Sequence, residues 1–424
     1  HRDLHSFPTR RSSDLDGQRF TLGPDQDSGW VRLAFRAGPG NRVRGLARFR
    51  VLSWAEPFSF YMTPLHVDPE SPAVPISHPP HFAMALAKLH GPYATLGLAE
   101  DTWALNERVL DEQGFLDQVW AIHAERERQF FHALSRQRDG AVVAVFDATD
   151  RIQHMFFRYL DADHPTNRGK ESARHAGAIH DLYRRADDLV GRTLARLGPR
   201  DVLFVISDHG FKTFQRGVNL NTWFREHGYL RLQGDPDTGP LPPLPEGRAA
   251  EAAAIDWPRT RAYTNGLSGF YLNLAGRERD GSVPPEAAPA LRAEIIGRLR
   301  ELRDAGRGGA PVVHGIWDAH EVYRGPYREN GPDVVVGWQI GYRAGWDAAV
   351  GRVSAAIIED NTRSWSGDHC IDPELVPGVC FCSRPLADER PGLVDMGPTI
   401  LALLGVKPPA HMTGRDLFRE TATS

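Results

Sequence analysis

A short motif at the end of an apolar run constrains the fold of this chain more than any other feature. Residues 201–206 (DVLFVI) are almost uninterruptedly apolar, which is typical of a strand buried on both faces of a parallel sheet. Ser207-Asp208-His209-Gly210 follows at once, and its glycine permits a sharp turn. Ligands of open α/β sheets bind beyond the carboxyl ends of strands, and a carboxylate beside an imidazole suits a divalent metal. The stretch therefore predicts a metal site, with an aspartate helix cap and a packed histidine as the alternative.

Further apolar runs predict an α/β fold. Residues 141–146 indicate a second buried strand, residues 171–197 a helix, and residues 201–206 the next strand. This strand, helix, strand order predicts a large, mostly parallel, doubly wound sheet with helices on both faces. Other strands are expected at 269–274, 333–337 and 379–383, and other helices at 82–89, 102–111, 115–134, 285–303 and 397–404.

The composition changes along the chain suggest its domain organisation. Residues 16–75 alternate short β-like runs with glycine and proline, which predicts a small β-rich insertion of antiparallel strands. Residues 76–424 form the α/β domain, within which 234–330 are expected to be a loop and a substrate-side elaboration. Residues 1–15 are set aside, because residues 5–15 resemble a translated sequencing adaptor. The native sequence is then expected to begin near Asp16, inside a longer protein.

Charge and composition exclude some partners and leave others open. The chain of 424 residues has a net charge of −4, which argues against binding nucleic acid by bulk electrostatics. Its longest apolar runs are too short for a transmembrane helix, and the cellular compartment is left open. The three cysteines, Cys370, Cys380 and Cys382, do not make a disulfide framework, and Cys380 and Cys382 are interpreted as small core residues.

Two more clusters offer metal-ligating side chains. Asp150 and His154 lie four residues apart, so that a helix would place both on one face, although such pairs are also common on solvated helix surfaces. Ser366-Gly367-Asp368-His369 places a histidine beside another strand. The pair Asp163-His164 precedes a proline and is interpreted as a turn. The five ligands Asp150, His154, Asp208, His209 and His369 are too many for one tetrahedral zinc and suit most of a two-metal site.

The order of these motifs resembles the alkaline phosphatase superfamily, and in particular its type I phosphodiesterase and nucleotide pyrophosphatase branch. The shared pattern is Asp-x-x-x-His at 150–154, Ser-Asp-His-Gly at 207–210, Gly-x-His at 367–369, and a tail with Asp395, Pro398-Thr399, Gly405 and Gly414-Arg415. The resemblance covers residues 76–424. It implies that Asp150, His154 and His369 hold one divalent ion and that Asp208 and His209 hold a second. Zinc is the first expectation, and mixed Asp/His sites also accept Mn or Mg.

The resemblance also implies a reaction, namely hydrolysis of a phosphodiester or nucleotide pyrophosphate bond in a small phosphorylated substrate. Two ions about 4 Å apart stabilise charge on the attacking and leaving oxygens. Asp147 and Asp368 are expected to orient the ligand imidazoles from behind. The family's Thr or Ser nucleophile has no match here and is expected N-terminal to Asp16. The 424-residue chain is therefore expected to bind metal weakly and to hydrolyse bis-p-nitrophenyl phosphate poorly or not at all, and a longer parent to hydrolyse it well.

Several alternatives remain open from the sequence. A sulfatase or a phosphomutase of the same superfamily would use related ligands, and a catalytically inactive metal-binding protein would retain them without turnover. The residues that select the substrate are not identified. Five side chains lie in segments that could line an entrance, although solvated arginines and core tyrosines are the more ordinary interpretation: Tyr271, Asn273, Arg277, Tyr342 and Arg343.

Overall fold

The computed structural model describes residues 11–15, 18–23, 26–169, 173–244, 249–387 and 390–418. The chain forms two compact units. The first contains the chain up to Ile152, the segment Gly177–Asp201, and the chain from Leu386 onward. The second contains Gln153–Ala176 and Val202–Pro385. None of the helices in the described residues is long and apolar enough to cross a membrane.

The first unit combines a β-rich segment with helices. Its strands and helices are β1 (Arg11–Leu15), β2 (Gln18–Leu22), β3 (Val31–Arg36), β4 (Arg42–Ala47), β5 (Phe49–Ser53), β6 (Ser59–Met62), β7 (His66–Val67), α1 (His81–His90), α2 (Thr102–Asn106), α3 (Glu112–Arg136), the start of α4 (Ala148–Phe156), α5 (Ala178–Leu194) and, after the second unit, a closing helix at Met396–Leu403.

The strands of the β-rich segment pair in antiparallel fashion, as their alternating sequence predicts. Strand β4 lies between β3 and β7, β5 pairs with β6, and β1 pairs with β2. Their inward side chains form a small apolar cluster, which includes Val31, Phe49 and Val51. The ten residues preceding β1, most of the adaptor-like stretch, lie outside the described residues.

Helix α3 is the longest helix of the first unit, and its sequence explains both its start and its buried face. The carboxylate of Asp111 accepts a hydrogen bond from the Gly114 amide and so caps the first turn. Phe115, Val119 and Ile122 follow at helical spacing and are almost completely buried. The helix therefore packs through the apolar stripe that its sequence predicts.

The second unit contains most of the strands. Its elements are β8 (Phe204–Ile206), β9 (Lys212–Val218), α6 (Leu220–Glu226), β10 (Ala262–Tyr263), β11 (Gly269–Leu272), α7 (Ala288–Arg300), β12 (Arg303–Asp304), β13 (Ala310–Pro311), β14 (Val313–Asp318), α8 (Ala319–Val322), β15 (Val334–Trp338), β16 (Gly341–Ala344), α9 (Trp346–Ala349), β17 (Ile358–Asp360), β18 (Gly367–Asp368) and β19 (Cys380–Cys382). The closing helix at Met396–Leu403 is then α10.

The main core of the second unit lies between an antiparallel sheet and two helices. The sheet has the strand order β10-β11-β15-β14, and α6 and α7 contribute apolar side chains to the same cluster. Phe224 from α6, Phe270 from β11 and Ile295 from α7 are fully buried there. Burial of such apolar surface supplies most of the stabilisation of this unit.

A second sheet in this unit positions the candidate site. Strand β9 is its centre, with β16 parallel on one side and β17 and β18 antiparallel to it. The register pairs Gly367 with Thr213 and Asp368 with Lys212. Because β9 follows the Ser-Asp-His-Gly motif and β18 carries the Gly-x-His motif, this short ladder joins the two.

The prediction of a large, mostly parallel sheet is wrong for the described residues. They form several small sheets in which nearly every ladder is antiparallel, and β9–β16 is the parallel ladder among the named strands. The chain does combine helices with strands, and the fold is mixed α/β. The runs do not share one sheet, because strand pairing depends on contacts far apart in sequence that an apolar run does not specify.

The two strands on which that prediction depended are also different from what the sequence indicates. Residues 141–146 have no strand assignment, and Val143 and Val145 are 80% and 67% exposed. Strand β8 exists, but it is shorter than predicted and pairs antiparallel with β19, with Ile206 42% exposed. It is therefore not buried on both faces. Apolar composition identified segments suited to strands, but not whether neighbours cover them.

Truncating a core aromatic tests the assignment of the main core. We expect Phe270→Ala to lower the free energy of unfolding by about 3–5 kcal/mol, because it leaves a cavity in a closely packed cluster. Phe381→Ala is the matched control, since Phe381 is 65% exposed and its loss should change stability by less than about 0.5 kcal/mol. Denaturant unfolding of both variants measures the difference. Equal losses would mean that the core is placed wrongly.

Candidate metal centre

Three imidazoles from distant parts of the chain lie together in the second unit. The rings of His209 and His369 are stacked, with centroids 3.5 Å apart and an interplanar angle of 12°. The ring of His154 lies 5.1 Å from that of His369. The structure thus brings together histidines from the three motifs that the sequence singled out.

The two glycines of these motifs allow close backbone approach. A Cβ on Gly367 would lie 2.5 Å from the Gln153 carbonyl oxygen, so a larger residue would push β18 away from α4. A Cβ on Gly210 would lie 2.8 Å from the Pro377 carbonyl oxygen. Gly210 has no positive φ, so its role is close packing and not the sharp turn that the sequence suggested.

Hydrogen bonds to carbonyl groups set the tautomers of two of the histidines. His154 donates from Nδ1 to the Gly367 carbonyl at 2.8 Å, and His209 donates from Nδ1 to the Gly210 carbonyl at 3.1 Å. A carbonyl oxygen can only accept, so each of these rings carries a proton at Nδ1. Metal-ligating histidines are commonly oriented in this way.

The carboxylates of Asp150 and Asp208 differ from each other in their surroundings. Asp150 lies on α4 one helical turn before His154 in the sequence, and it is paired with Arg151. Asp208 lies beside His209, with 3.5 Å between its Oδ2 and Nε2 of the histidine, but its side chain is 74% exposed. Asp208 therefore flanks the imidazole cluster from the solvent side.

Asp368 is buried and accepts four hydrogen bonds. Its Oδ2 accepts hydrogen bonds from Arg343 at 2.8 Å and from the Trp365 indole at 2.7 Å. Its Oδ1 accepts from the backbone amides of His369 and Cys370, both at 2.8 Å. Burial by itself raises the pKa of Asp368, but the Arg343 guanidinium and the hydrogen bonds outweigh it and hold the pKa well below its usual range.

Asp368 orients the cluster indirectly. It holds the backbone of His369 and the indole of Trp365, and that indole lies against the His154 ring at a centroid distance of 3.8 Å. Asp147, the other residue expected behind the ligands, is paired with Arg126 at 2.5 Å at the start of α4. Neither contact is a direct hydrogen bond to one of the three imidazoles, and the role of Asp147 and Asp368 in orienting them stays a prediction.

Sequence reasoning missed the aromatic side chains around the cluster. Phe211 lies 4.8 Å from the His154 ring and 5.4 Å from the rings of His209 and His369, and Trp365 packs on His154. Their positions in the sequence could have indicated them, since Phe211 directly follows Ser207-Asp208-His209-Gly210 and Trp365 directly precedes Ser366-Gly367-Asp368-His369. Aromatic rings lower the polarity around the imidazoles that they contact, and electrostatic interactions are stronger in less polar surroundings.

The remaining candidates from the sequence have structural partners. Arg343 is buried against Asp368 and also lies over the rings of Phe214 and Trp346, 4.6 Å from each centroid. Arg277 is paired with Asp333, and the buried amide of Asn273 donates to three backbone carbonyls. His164 caps a 3₁₀ turn at Pro165–Asn167, as its proline suggested. Cys380 and Cys382 are only partly buried, so they are not core residues.

Histidines with neighbouring aspartates offer the types of donor atom that divalent metal centres of hydrolases use. The family model for type I phosphodiesterase / nucleotide pyrophosphatase matches residues 76–352, most of the chain, and the chain belongs to this family. The resemblance seen in the sequence is thereby confirmed. Membership implies an alkaline-phosphatase-like fold and a phosphorylated substrate. His369 and the tail motif lie beyond the matched range, and no curated protein matches the chain.

The buried pair of Arg343 and Asp368 gives a prediction with a defined pH dependence. We expect Arg343→Met to destabilise the chain by about 3–5 kcal/mol at pH 7, because it leaves a buried carboxylate without its cation. The folded pKa of Asp368 lies below the unfolded value of about 3.9, so its stabilisation is present above that pH and is lost as the pH falls through the folded pKa.

In the variant the buried carboxylate has no cation, so its protonation in acid removes the uncompensated charge, whereas Asp368 of the wild type stays ionised. The difference between variant and wild type should therefore shrink in acid, which denaturant unfolding at pH 7 and near pH 3 measures. Arg324→Met is the control, since Arg324 is exposed and its loss should cost little at either pH. An effect of Arg343→Met that is the same at both pH values would contradict the assignment.

Proposed function

We propose that this chain carries the metal centre of a phosphohydrolase that acts on a phosphodiester or nucleotide pyrophosphate bond. The observation that carries the proposal is the meeting of His154, His209 and His369, in a chain that belongs to a family of phosphodiesterases and pyrophosphatases. Family membership supports the reaction class, and the imidazole cluster supports the location.

The donor set fits divalent ions of the zinc type. The Nδ1 hydrogen bonds of His154 and His209 orient the two rings, and Asp208 adds a hard oxygen donor beside His209. We propose that Asp150, His154 and His369 hold one ion and that Asp208 and His209 hold the other. Zinc is the first choice, with Mn or Mg also compatible.

When bound, such ions would supply electrostatic stabilisation to the attacking and leaving oxygens of the phosphoryl group. The residues of this chain would contribute orientation. Asp368 and Arg343 fix the backbone that carries His369, and Trp365 and Phe211 enclose the rings. The reaction also needs a hydroxyl nucleophile, and none of the five proposed ligands can serve as one.

Metal analysis of ligand variants tests the location. We expect His369→Ala and Asp208→Ala each to weaken zinc binding at least about tenfold without unfolding the chain, because each removes a donor from the cluster. His411→Ala, which removes an exposed histidine, is the control and should leave zinc binding unchanged. Zinc competition with a chromophoric chelator gives the affinities, and circular dichroism checks the fold. Wild-type zinc affinity in both variants would remove the ligand assignment.

Product binding and turnover test the reaction class. We expect a nucleoside monophosphate, the product of pyrophosphate cleavage, to bind the zinc-loaded chain at least about tenfold more tightly than the chelator-treated chain, because its phosphate would contact the metal centre. Calorimetry measures this affinity, and adenosine without phosphate is the control. Turnover of bis-p-nitrophenyl phosphate is expected to be weak or absent. Robust turnover that survives purification would instead place the nucleophile within these residues, and zinc-independent phosphate binding would argue against the proposed reaction.

A further inference from the structure

A second group of ligating side chains lies in the second unit and shares no residue with the imidazole cluster. His314, Asp372 and Glu374 each offer a ligand atom, and these atoms all lie within 4.8 Å of one another. His314 is on β14, Asp372 precedes a 3₁₀ turn at Pro373–Leu375, and Glu374 is in that turn. We propose that these three residues form a separate binding site for one divalent transition metal ion of the zinc type.

The backbone of β14 is shaped to present His314. In the ladder with β15, Val313 pairs with Trp338 and Gly315 pairs with Gly337, so His314 is the extra residue of a β-bulge. Bulges redirect a side chain and often occur beside functional sites. The ring is 33% exposed, so one edge faces solvent and the other faces Asp372.

The sheet also makes room for the Asp372 carboxylate. A Cβ on either Gly315 or Gly337, which face each other across the two strands, would lie 2.6 Å from Asp372 Oδ2. Any larger residue at either position would therefore displace the carboxylate. The Asp372 side chain is only 1% exposed as a result, and Oδ2 lies 2.8 Å from His314 Nδ1.

The three ligating side chains differ in how rigidly they are held. The Asp372 amide donates to the Trp338 carbonyl at 3.2 Å, and Oδ1 accepts from the Glu374 amide at 3.0 Å, so the turn is fixed to the end of β15. Glu374 is exposed and its side chain can rotate. Donor atoms about 2.0–2.2 Å from a tetrahedral ion lie roughly 3.4 Å apart, so a small movement of Glu374 would complete three ligands.

The chemistry of the donors selects the class of ion. One imidazole nitrogen and two carboxylate oxygens suit zinc and neighbouring first-row ions better than calcium, which takes six or more oxygens. Two carboxylates also balance the charge of a divalent ion beside a neutral imidazole. A bound ion would pin the turn to the bulge, and the Val376 carbonyl after that turn accepts the Gly210 amide at 2.9 Å. The bound ion would thus stabilise the turn at Pro373–Leu375, which lies next to the contact with Gly210.

Metal titration of the full chain tests this site apart from the imidazole cluster. The background is the double variant His209→Ala and His369→Ala, which removes donors of the proposed catalytic centre. We expect this background to retain one Co²⁺ per chain with visible d–d absorption. Adding His314→Ala or Glu374→Gln should weaken that binding at least about tenfold, because each removes a donor.

Both added substitutions are at solvent-accessible side chains, so the fold should persist, which circular dichroism checks. His320→Ala is the matched control, since His320 is similarly exposed and its ring nitrogens lie 3.9 Å from carboxylates of Glu329 and Asp333 without forming a triad. It should leave Co²⁺ binding unchanged. A background that binds no Co²⁺, or Co²⁺ binding that survives both His314→Ala and Glu374→Gln, would overturn the proposal. Neither result depends on whether the chain hydrolyses a phosphodiester.

Discussion

The buried carboxylate of Asp368 is the interaction on which the candidate metal centre depends. A carboxylate that is removed from water is stable only when its oxygens accept hydrogen bonds from other groups. Four donors bind the oxygens of Asp368: two backbone amides, an indole and a guanidinium. Each donor belongs to a segment that the site needs. The amides set the backbone at His369, the indole covers His154, and Arg343 connects β18 with β16. Satisfying one charge therefore orders several segments at once.

Close backbone packing supplies the second part of the site. The ladder of β9 with β18 and the hydrogen bond from Gly210 to Val376 hold two motifs that are more than 150 residues apart against each other. Only glycine permits the approach of Gly367 to α4, which in turn lets His154 donate to the Gly367 carbonyl. The conformation of the imidazoles is thus preorganised by groups that do not themselves ligate a metal. Preorganised polar groups of this kind cost little reorganisation when a charged ligand arrives.

The sheet topology was not predictable from the sequence, and the reason is physical. The backbone hydrogen bonds of a helix lie within one segment, and its buried face shows as a spacing of apolar residues in that segment. Helices α1, α3, α5, α7 and α10 all lie where this spacing indicates them. Strands need partners, and the apolar runs at 141–146 and 204–206 carry no information about which segments lie beside them. The large parallel sheet was inferred from their order alone. The described residues instead form small sheets that are mostly antiparallel.

By itself, the sequence determined which side chains are able to ligate a metal and which family the chain belongs to, because ligand chemistry and motif order are properties of the linear chain. It identified Asp150, His154, Asp208, His209 and His369 from their types and their positions after predicted elements. The tertiary structure alone decided that three imidazoles meet, that Asp208 stays exposed, and that Asp368 is held by Arg343 and Trp365. These outcomes depend on strand register and on the desolvation of one charge, which arise only when distant segments pack together.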